Sequence, residues 1–266
     1  MLELLEQLFR QVRLYVQSER FDRNQVYQQS HHHITMQFDR DAEDLIITGL
    51  VESGIGFEVL TEERPIFTTA PNPSYRIVVD PIDGSTNVAR GIMTAGVTLA
   101  VLPIDAPILP EQVHWALVGE LFTGTVYEAK SGGGAFRNGR RCQVSDTRTI
   151  QDCLAGINFD GRDRKAILSL LNQEPVPGHI RRSGSSALDS VYVASGAYDA
   201  YIDVGNELTA ESFLASACIA LEAGAIVSNH EGKPLSPVTD LNKKLSLVVA
   251  GTKELHAAII ERISDL

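Results

Sequence analysis

Leu2, Leu5, Leu8, Val12 and Val16 recur at helical spacing, with acids near the start of the run. The pattern predicts a structural amphipathic helix over 1–20, because no basic segment precedes it and no small-residue cleavage site follows. A second helix is predicted with Asp39 as its N-cap and Ala42, Leu45, Ile46 and Leu50 on one stripe. The period then shortens: β-branched runs at 56–60 and 75–79 read as strands. Pro81 and Gly84 are expected to break the second of these into a turn. Between 93 and 136 there are apolar runs at 96–102, 113–118 and 121–129, and the spacing of Gly119 and Gly124 suggests an antiparallel meander with short turns. The tract 131–139 has the glycines of a phosphate-cradling loop but neither the Lys-Ser/Thr pair nor the following helix, so a hairpin turn is expected. Beyond it strands and helices alternate: strand 154–159, helix 164–171, strand 179–182, a helix opening at 183–189 and running to Val193, then strand 198–204. A helix after Thr209, a strand at 248–250 and a helix over 254–263 complete the chain. Such alternation predicts an α/β class, with an N-terminal α+β half over 1–145 and an α/β half over 146–266.

At 266 residues and 44% hydrophobic content there is material for one large buried core or two modest ones. No apolar stretch approaches a membrane span, so no membrane partner is expected. Cys142, Cys153 and Cys218 are odd in number and widely spaced, which argues against a disulfide framework or zinc site and for a reducing, cytoplasmic setting. A net charge of −11 argues against nucleic acid as a partner. It also means that a site for an anionic substrate needs local positive charge, which bound divalent cations supply. His31, His32 and His33 are read as a polar loop near a site mouth. Neighbours in an extended stretch point to alternate faces and cannot ligate one ion without a tight turn.

The candidate chemistry centres on Asp80-Pro81-Ile82-Asp83-Gly84-Ser85-Thr86-Asn87. A turn after a strand can aim Asp80, the Ile82 carbonyl and Asp83 into one volume, the all-oxygen set that a hard cation such as Mg²⁺ takes. The amides that follow, at the start of a helical turn, offer a seat for phosphate. Taken alone, an Asp-rich turn is more often a surface turn with local hydrogen bonds. Likewise Glu62 and Glu63 at a strand end read alone as solvated charge, and Ser183-Gly184-Ser185-Ser186 as either a substrate-holding helix start or a plain N-cap.

The octapeptide resembles the D-P-[IL]-D-G-[ST]-[ST]-N signature of the inositol monophosphatase family, whose superfamily includes fructose-1,6-bisphosphatases and nucleotide 3′-phosphatases. Glu62-Glu63 resembles the family's Glu-Glu element, and 184–189 its pocket-lining G-[ST]-[AS]-A-L-D element. Asp203 falls where relatives carry a substrate-contacting acid. The resemblance implies a layered αβαβα sugar-phosphatase-like fold, a homodimer, and a Mg²⁺-dependent phosphomonoesterase acting on a small phosphorylated metabolite like inositol monophosphate. By the same resemblance Glu62, Asp80, Ile82 and Asp83 would hold metal, and Glu62 with Ser85 would position the attacking water. Gly84, Ser85, Gly184, Ser185 and Asp203 would bind substrate. One departure stands out. Relatives begin the next helix with an Asp that ligates the second metal, and counting back from Leu221-Glu222-Ala223-Gly224 puts Ser212 there, after Glu211. One residue turns a helical side chain by about 100°, yet the longer Glu211 could still reach the metal. With Thr209 as N-cap it would lie in the first turn, where an acid also simply favours the helix dipole. Two alternatives stay open: fructose-1,6-bisphosphate or a 3′-phosphonucleotide as substrate, with Arg64, Arg181 and Arg182 as candidate cations, or a degenerate member that binds a phosphorylated ligand without hydrolysing it.

Overall fold

A computed structural model of the chain describes residues 1–29, 34–62, 64–159, 165–239 and 241–264. The N-terminal elements are α1 (Leu2–Val16), β1 (Val26–Gln29), β2 (Ile34–Met36), α2 (Gln37–Glu52), β3 (Phe57–Thr61), β4 (Arg64–Thr68), β5 (Tyr75–Asp83) and α3 (Ser85–Arg90). A meander follows: β6 (Gly96–Pro103), β7 (Trp115–Glu120), β8 (Val126–Lys130), β9 (Gly134–Arg137) and β10 (Arg140–Arg141). The rest is β11 (Leu154–Asn158), α4 (Lys165–Asn172), β12 (His179–Arg181), α5 (Ser186–Ala194), β13 (Ala200–Leu208), α6 (Ala210–Glu222), β14 (Ile226–Ser228), β15 (Leu245–Ala250) and α7 (Lys253–Ser264).

Two sheets carry the architecture. The larger has eight strands in the order β10-β9-β8-β7-β6-β5-β3-β4, and the smaller five in the order β12-β11-β13-β15-β14. On the outer face of the large sheet, α1 and α2 place Leu5, Leu8, Phe9, Phe38, Ile46 and Leu50 against Ile77, Val79, Val97, Leu99 and Leu117. The alternate residues Val78, Ala100, Leu102 and Val118 face the other way. They pack on Leu188, Val191, Phe213 and Leu214 of α5 and α6, which also meet Tyr201, Leu247 and Val249 of the small sheet. Ile167 of α4 and Leu255 and Ile259 of α7 close the small sheet's outer face over Ala155, Ile157, Ile202 and Val248. The result is the expected α/β fold in five layers, αβαβα. Strands covered on both faces lose the polar alternation of a half-exposed strand, and so read as continuous apolar runs. All three cysteines are free and buried. Among the described residues no helix is long and apolar enough to cross a membrane.

Several expectations change. The α2 helix begins at Gln37 with Met36 as N-cap; Asp39 lies inside its first turn and accepts a hydrogen bond from the Met36 N–H at 3.1 Å. β5 does not stop at Pro81. It runs to Asp83, since its pairing with β6 resumes past a bulge, with Asp80 opposite Thr98 and Asp83 opposite Gly96. A bulge is a place where a strand tolerates proline's missing N–H. The tract 131–139 is two turns around a strand, not one turn: β9 sits between 131–133 and Asn138-Gly139. β13 runs on to Leu208, with a break in its pairing to β15 between Asp203 and Leu208. His31, His32, His33 and Glu63 lie outside the described residues.

Candidate active site

Strand alternation sends Ile77 and Val79 toward α1 and α2, and Val78 and Asp80 toward the middle helices. Strict alternation would then turn Asp83, three residues on, to the opposite face. The bulge inserts one residue and returns Asp83 to the face of Asp80. There Asp83 Oδ2 accepts hydrogen bonds from Ser185 Oγ at 2.5 Å and the Ala187 N–H at 2.8 Å, at the start of α5. The Asp80 N–H donates to Thr98 Oγ1 at 3.3 Å, and Thr98 in turn donates to the Glu211 carbonyl at 2.7 Å, at the start of α6. Two helix N-termini of the middle layer thus meet the end of β5, where their partial positive charge favours carboxylates.

The acids there share one field. Burial pushes the Asp80 carboxyl well above its usual range, helped by the charges of Asp83, Glu62, Glu211 and Asp39. Burial raises Asp83 to about 6, against the hydrogen bonds from Ser185 and Ala187 that hold it down. Glu211 is also raised by burial, offset in part by hydrogen bonds from Thr209 and from its own N–H. Its Oε2 is buried and, among the described residues, receives no hydrogen bond. Ser212 instead lies with its hydroxyl 3.4 Å from that of Thr209. Clustered buried acids, one with an unsatisfied oxygen, are the donor chemistry of a hard divalent cation. Among the described residues, however, no three His, Cys, Asp or Glu side chains are gathered tightly enough to hold an ion. Asp83 Oδ2 is committed to α5, and Glu62 is exposed. Glu62, Glu211, Thr209, Glu207 and Lys244 line a cavity of about 610 Å³, to which Asp80 and Asp83 do not contribute.

The residue that sequence reasoning missed is Asp39. Its Oδ1 lies 2.7 Å from Ser85 Oγ, and the Ile82 carbonyl is 2.9 Å from the same hydroxyl. One proton therefore has two acceptors. Glu43, one turn further along α2 and fully buried, accepts from Thr61 Oγ1 at 2.7 Å, Arg64 Nε at 2.6 Å and an Arg40 guanidinium nitrogen at 3.2 Å. Arg64 also bonds Asp44. These bonds tie α2, which carries Asp39, to the residues flanking Glu62, and they commit Arg64 to that clamp. Arg182 lies over the Phe159 ring, 5.8 Å from its centroid, and Arg181 is exposed.

On the substrate side, Gly184 has φ +84°, and a Cβ there would sit 2.9 Å from the Asn87 amide nitrogen. That nitrogen donates to the Thr94 and Ser183 carbonyls at 2.8 Å each, pinning the 183–184 loop to α3. Only glycine meets both demands. Asp203 is buried and accepts from Asn158 Nδ2 at 2.9 Å and the Tyr201 hydroxyl at 3.0 Å. Its charge is among the influences that raise Asp83.

The five-layer αβαβα fold is that of inositol-monophosphatase-type proteins, and the family match and the phosphatase names of its relatives place the chain among metal-dependent phosphatases. The family model described as the inositol monophosphatase family matches residues 1–266, and the chain belongs to that family. It is 31% identical over 235 residues to a fructose-1,6-bisphosphatase/inositol-1-monophosphatase of Methanothermobacter thermautotrophicus, covering 86% of this chain and 83% of the relative. It is 32% identical over 231 residues to an inositol-1-monophosphatase of Mesorhizobium japonicum, covering 85% and 81%. Among solved structures, the extragenic suppressor protein suhB from Bartonella henselae superposes with a TM-score of 0.83 at 26% identity, over 99% of this chain and 98% of that one.

Proposed function

We propose that the protein hydrolyses a small phosphomonoester resembling inositol monophosphate, with Mg²⁺ as its cofactor. The observation that supports this most is the bulge that sets Asp80 and Asp83 on one face, against the starts of α5 and α6. In this reading Glu62, Asp80, the Ile82 carbonyl, Asp83 and Glu211 would hold the ions once the acids draw together around them. Bound Mg²⁺ supplies Lewis acidity and charge neutralisation.

The chain's own residues orient the reactants. The Ser85 hydroxyl donates its hydrogen bond to Asp39 Oδ1 or the Ile82 carbonyl, leaving the lone pairs of Ser85 Oγ to receive a hydrogen bond from water. Glu62, at the rim, shares in holding that water. Amides of Gly84 and Ser85 hold phosphate oxygens at the start of α3, and Gly184 and Ser185 line the pocket beside them. Asp203, fully buried and fixed by Asn158 and Tyr201, supports the pocket wall here and would meet substrate hydroxyls only in a more open form of the pocket. The unsatisfied Glu211 Oε2 beside Asp83 favours turnover over binding alone, because it supplies the carboxylate that Ser212 lacks. Relatives bear names for both inositol-1-monophosphate and fructose-1,6-bisphosphate hydrolysis, so both belong in the test. Phosphate release is measured on inositol 1-phosphate, fructose 1,6-bisphosphate and a 3′-phosphonucleotide. Turnover that needs Mg²⁺, stops with EDTA and is fastest on inositol 1-phosphate supports the reading. Tight binding without turnover, or turnover indifferent to EDTA, overturns it.

A further inference from the structure

At the edge of the large sheet opposite β4, Arg137, Arg140, Arg141, Asn138, Cys142 and Ser195 line a groove of about 550 Å³. The chain has 34 acids and a net charge of −11, so carboxylates are plentiful. Arg10, Arg40, Arg64 and Arg76 each pair with one. Among the described residues, none of the three groove guanidinium groups makes an ion pair or a side-chain hydrogen bond. Glu222 reaches the neighbouring β8–β9 turn, but its two oxygens accept from the Gly132 and Gly134 amides.

Two of the three cations are nonetheless held in place. Arg137 lies over the Tyr127 ring, 5.6 Å from its centroid. Arg141 packs against Gly134, where an added Cβ would fall 2.9 Å from a guanidinium nitrogen. The hairpin beneath them turns in two residues, Asn138 at φ +48° and Gly139 at φ +73°. Asn138 Oδ1 secures it by accepting the Val126 N–H at 2.8 Å. Charge on an edge strand also blocks sheet extension. That duty requires neither a groove nor guanidinium groups held by packing.

We propose that this groove binds a small anion carrying two or more phosphate or carboxylate groups. Guanidinium forks match such oxygens two at a time, and several arranged around one concavity discriminate against singly charged anions. The volume suits one metabolite-sized ligand. A long polyanion would have to run on across an acid-rich surface, so a nucleic acid is the poorer fit. The groove is not part of the candidate active site: β10 lies five strands from β5, roughly 24 Å at the usual strand spacing. It meets the end of α5 through Ser195, while the other end of that helix holds Asp83.

Calorimetric titration of the full chain with inorganic pyrophosphate, in metal-free buffer after chelator treatment and removal of the chelator by dialysis, tests this directly. One saturable site is expected, weakened at least about tenfold by Arg141→Gln and by Arg137→Gln and restored in part by Arg→Lys at the same positions. Asp83→Asn should leave the affinity unchanged, which separates this site from the catalytic reading. Arg140→Gln, a third groove position with no packing partner of its own among the described residues, keeps the test decisive if either of the other variants misfolds. No saturable binding, or equal affinity in the arginine variants, overturns the proposal, as does loss of binding in Asp83→Asn. Tighter binding of a short RNA through the same arginines would overturn it in favour of nucleic acid.

Discussion

Replacing Glu211 by Gln is expected to move stability and metal dependence in opposite directions. Glu211 is 5% exposed, and its Oε2 has no donor among the described residues. A buried polar atom left unsatisfied costs about 1–3 kcal/mol. Glutamine keeps the shape, removes the repulsion with Asp80 and Asp83, and brings an amide N–H that can donate to them. In EDTA at neutral pH the variant should therefore be more stable by about 1–3 kcal/mol, a rise in Tm of roughly 3–9 °C at about 3 °C per kcal/mol. The sign follows from the direction of the shift. Burial raises the folded pKa of Glu211, so the favourable contribution of its protonated form is present at low pH and lost as pH rises through the folded value. The advantage of Gln should shrink toward pH 4. With Mg²⁺ the lost charge tells the other way: changes behind a metal ligand cost roughly 10–100-fold in affinity, and removal of a ligand should cost at least that. Scanning calorimetry in EDTA and phosphate release across a Mg²⁺ titration read the two effects separately. Ser212→Asp serves as the comparison, and should crowd the site without lowering the Mg²⁺ requirement. A Glu211→Gln variant that is less stable in EDTA and has an unchanged Mg²⁺ requirement would refute the reasoning.

Asp83→Asn keeps shape and should leave the fold intact while nearly abolishing phosphate release; unaltered turnover across a Mg²⁺ titration would remove Asp83 from the site. Glu43→Ala leaves Arg64 and Arg40 without a buried partner, and breaking a buried pair costs about 3–5 kcal/mol. Since Arg64 is 27% exposed, the lower end is expected, and a chemical-denaturation midpoint close to that of the unaltered protein would show that the clamp carries no stability. Burial raises Asp189 to about 7. Its contribution is therefore full below the unfolded carboxylate range and is lost as pH rises through about 7, and Asp189→Asn should flatten the fall of Tm between pH 5 and 8. Parallel Tm profiles for the two proteins would show that this carboxyl does not titrate in that range.

Much of the fold was legible because its cause is local. The stripe of Leu5, Leu8, Val12 and Val16 is the buried face of α1, and the apolar runs at 96–102 and 113–118 became β6 and β7 because both faces of those strands are covered. The motifs at 80–87 and 184–189 were visible through their resemblance to a family signature; local turn chemistry alone left them as a surface turn and a helix start without assigned duty. Helix starts were less legible. Asp39 has the right chemistry for an N-cap, but the third position of a helix suits an acid equally, and only packing of Phe38 against the core shows which applies.

Read alone, the chain determined the α/β class and most of its longer elements, because periodicity acts over a turn or two, but not the short strands β1, β2, β4, β10 and β14, and only the family resemblance pointed to where acids and helix starts would meet. The chain did not determine that Asp80 and Asp83 share a face, since that depends on one extra residue in the pairing of β5 with β6, and register is a property of two strands. Nor did it determine that Asp39 holds Ser85, 46 positions away, when a local capping bond accounts for the same acid. The choice between Glu211 and Ser212 was likewise left to the tertiary structure. α6 begins at Ala210 with Thr209 as its N-cap, and a shift of one residue turns a helical side chain by about 100°. Only the packed sheets and the middle helices settle which of the two is buried beside Asp83.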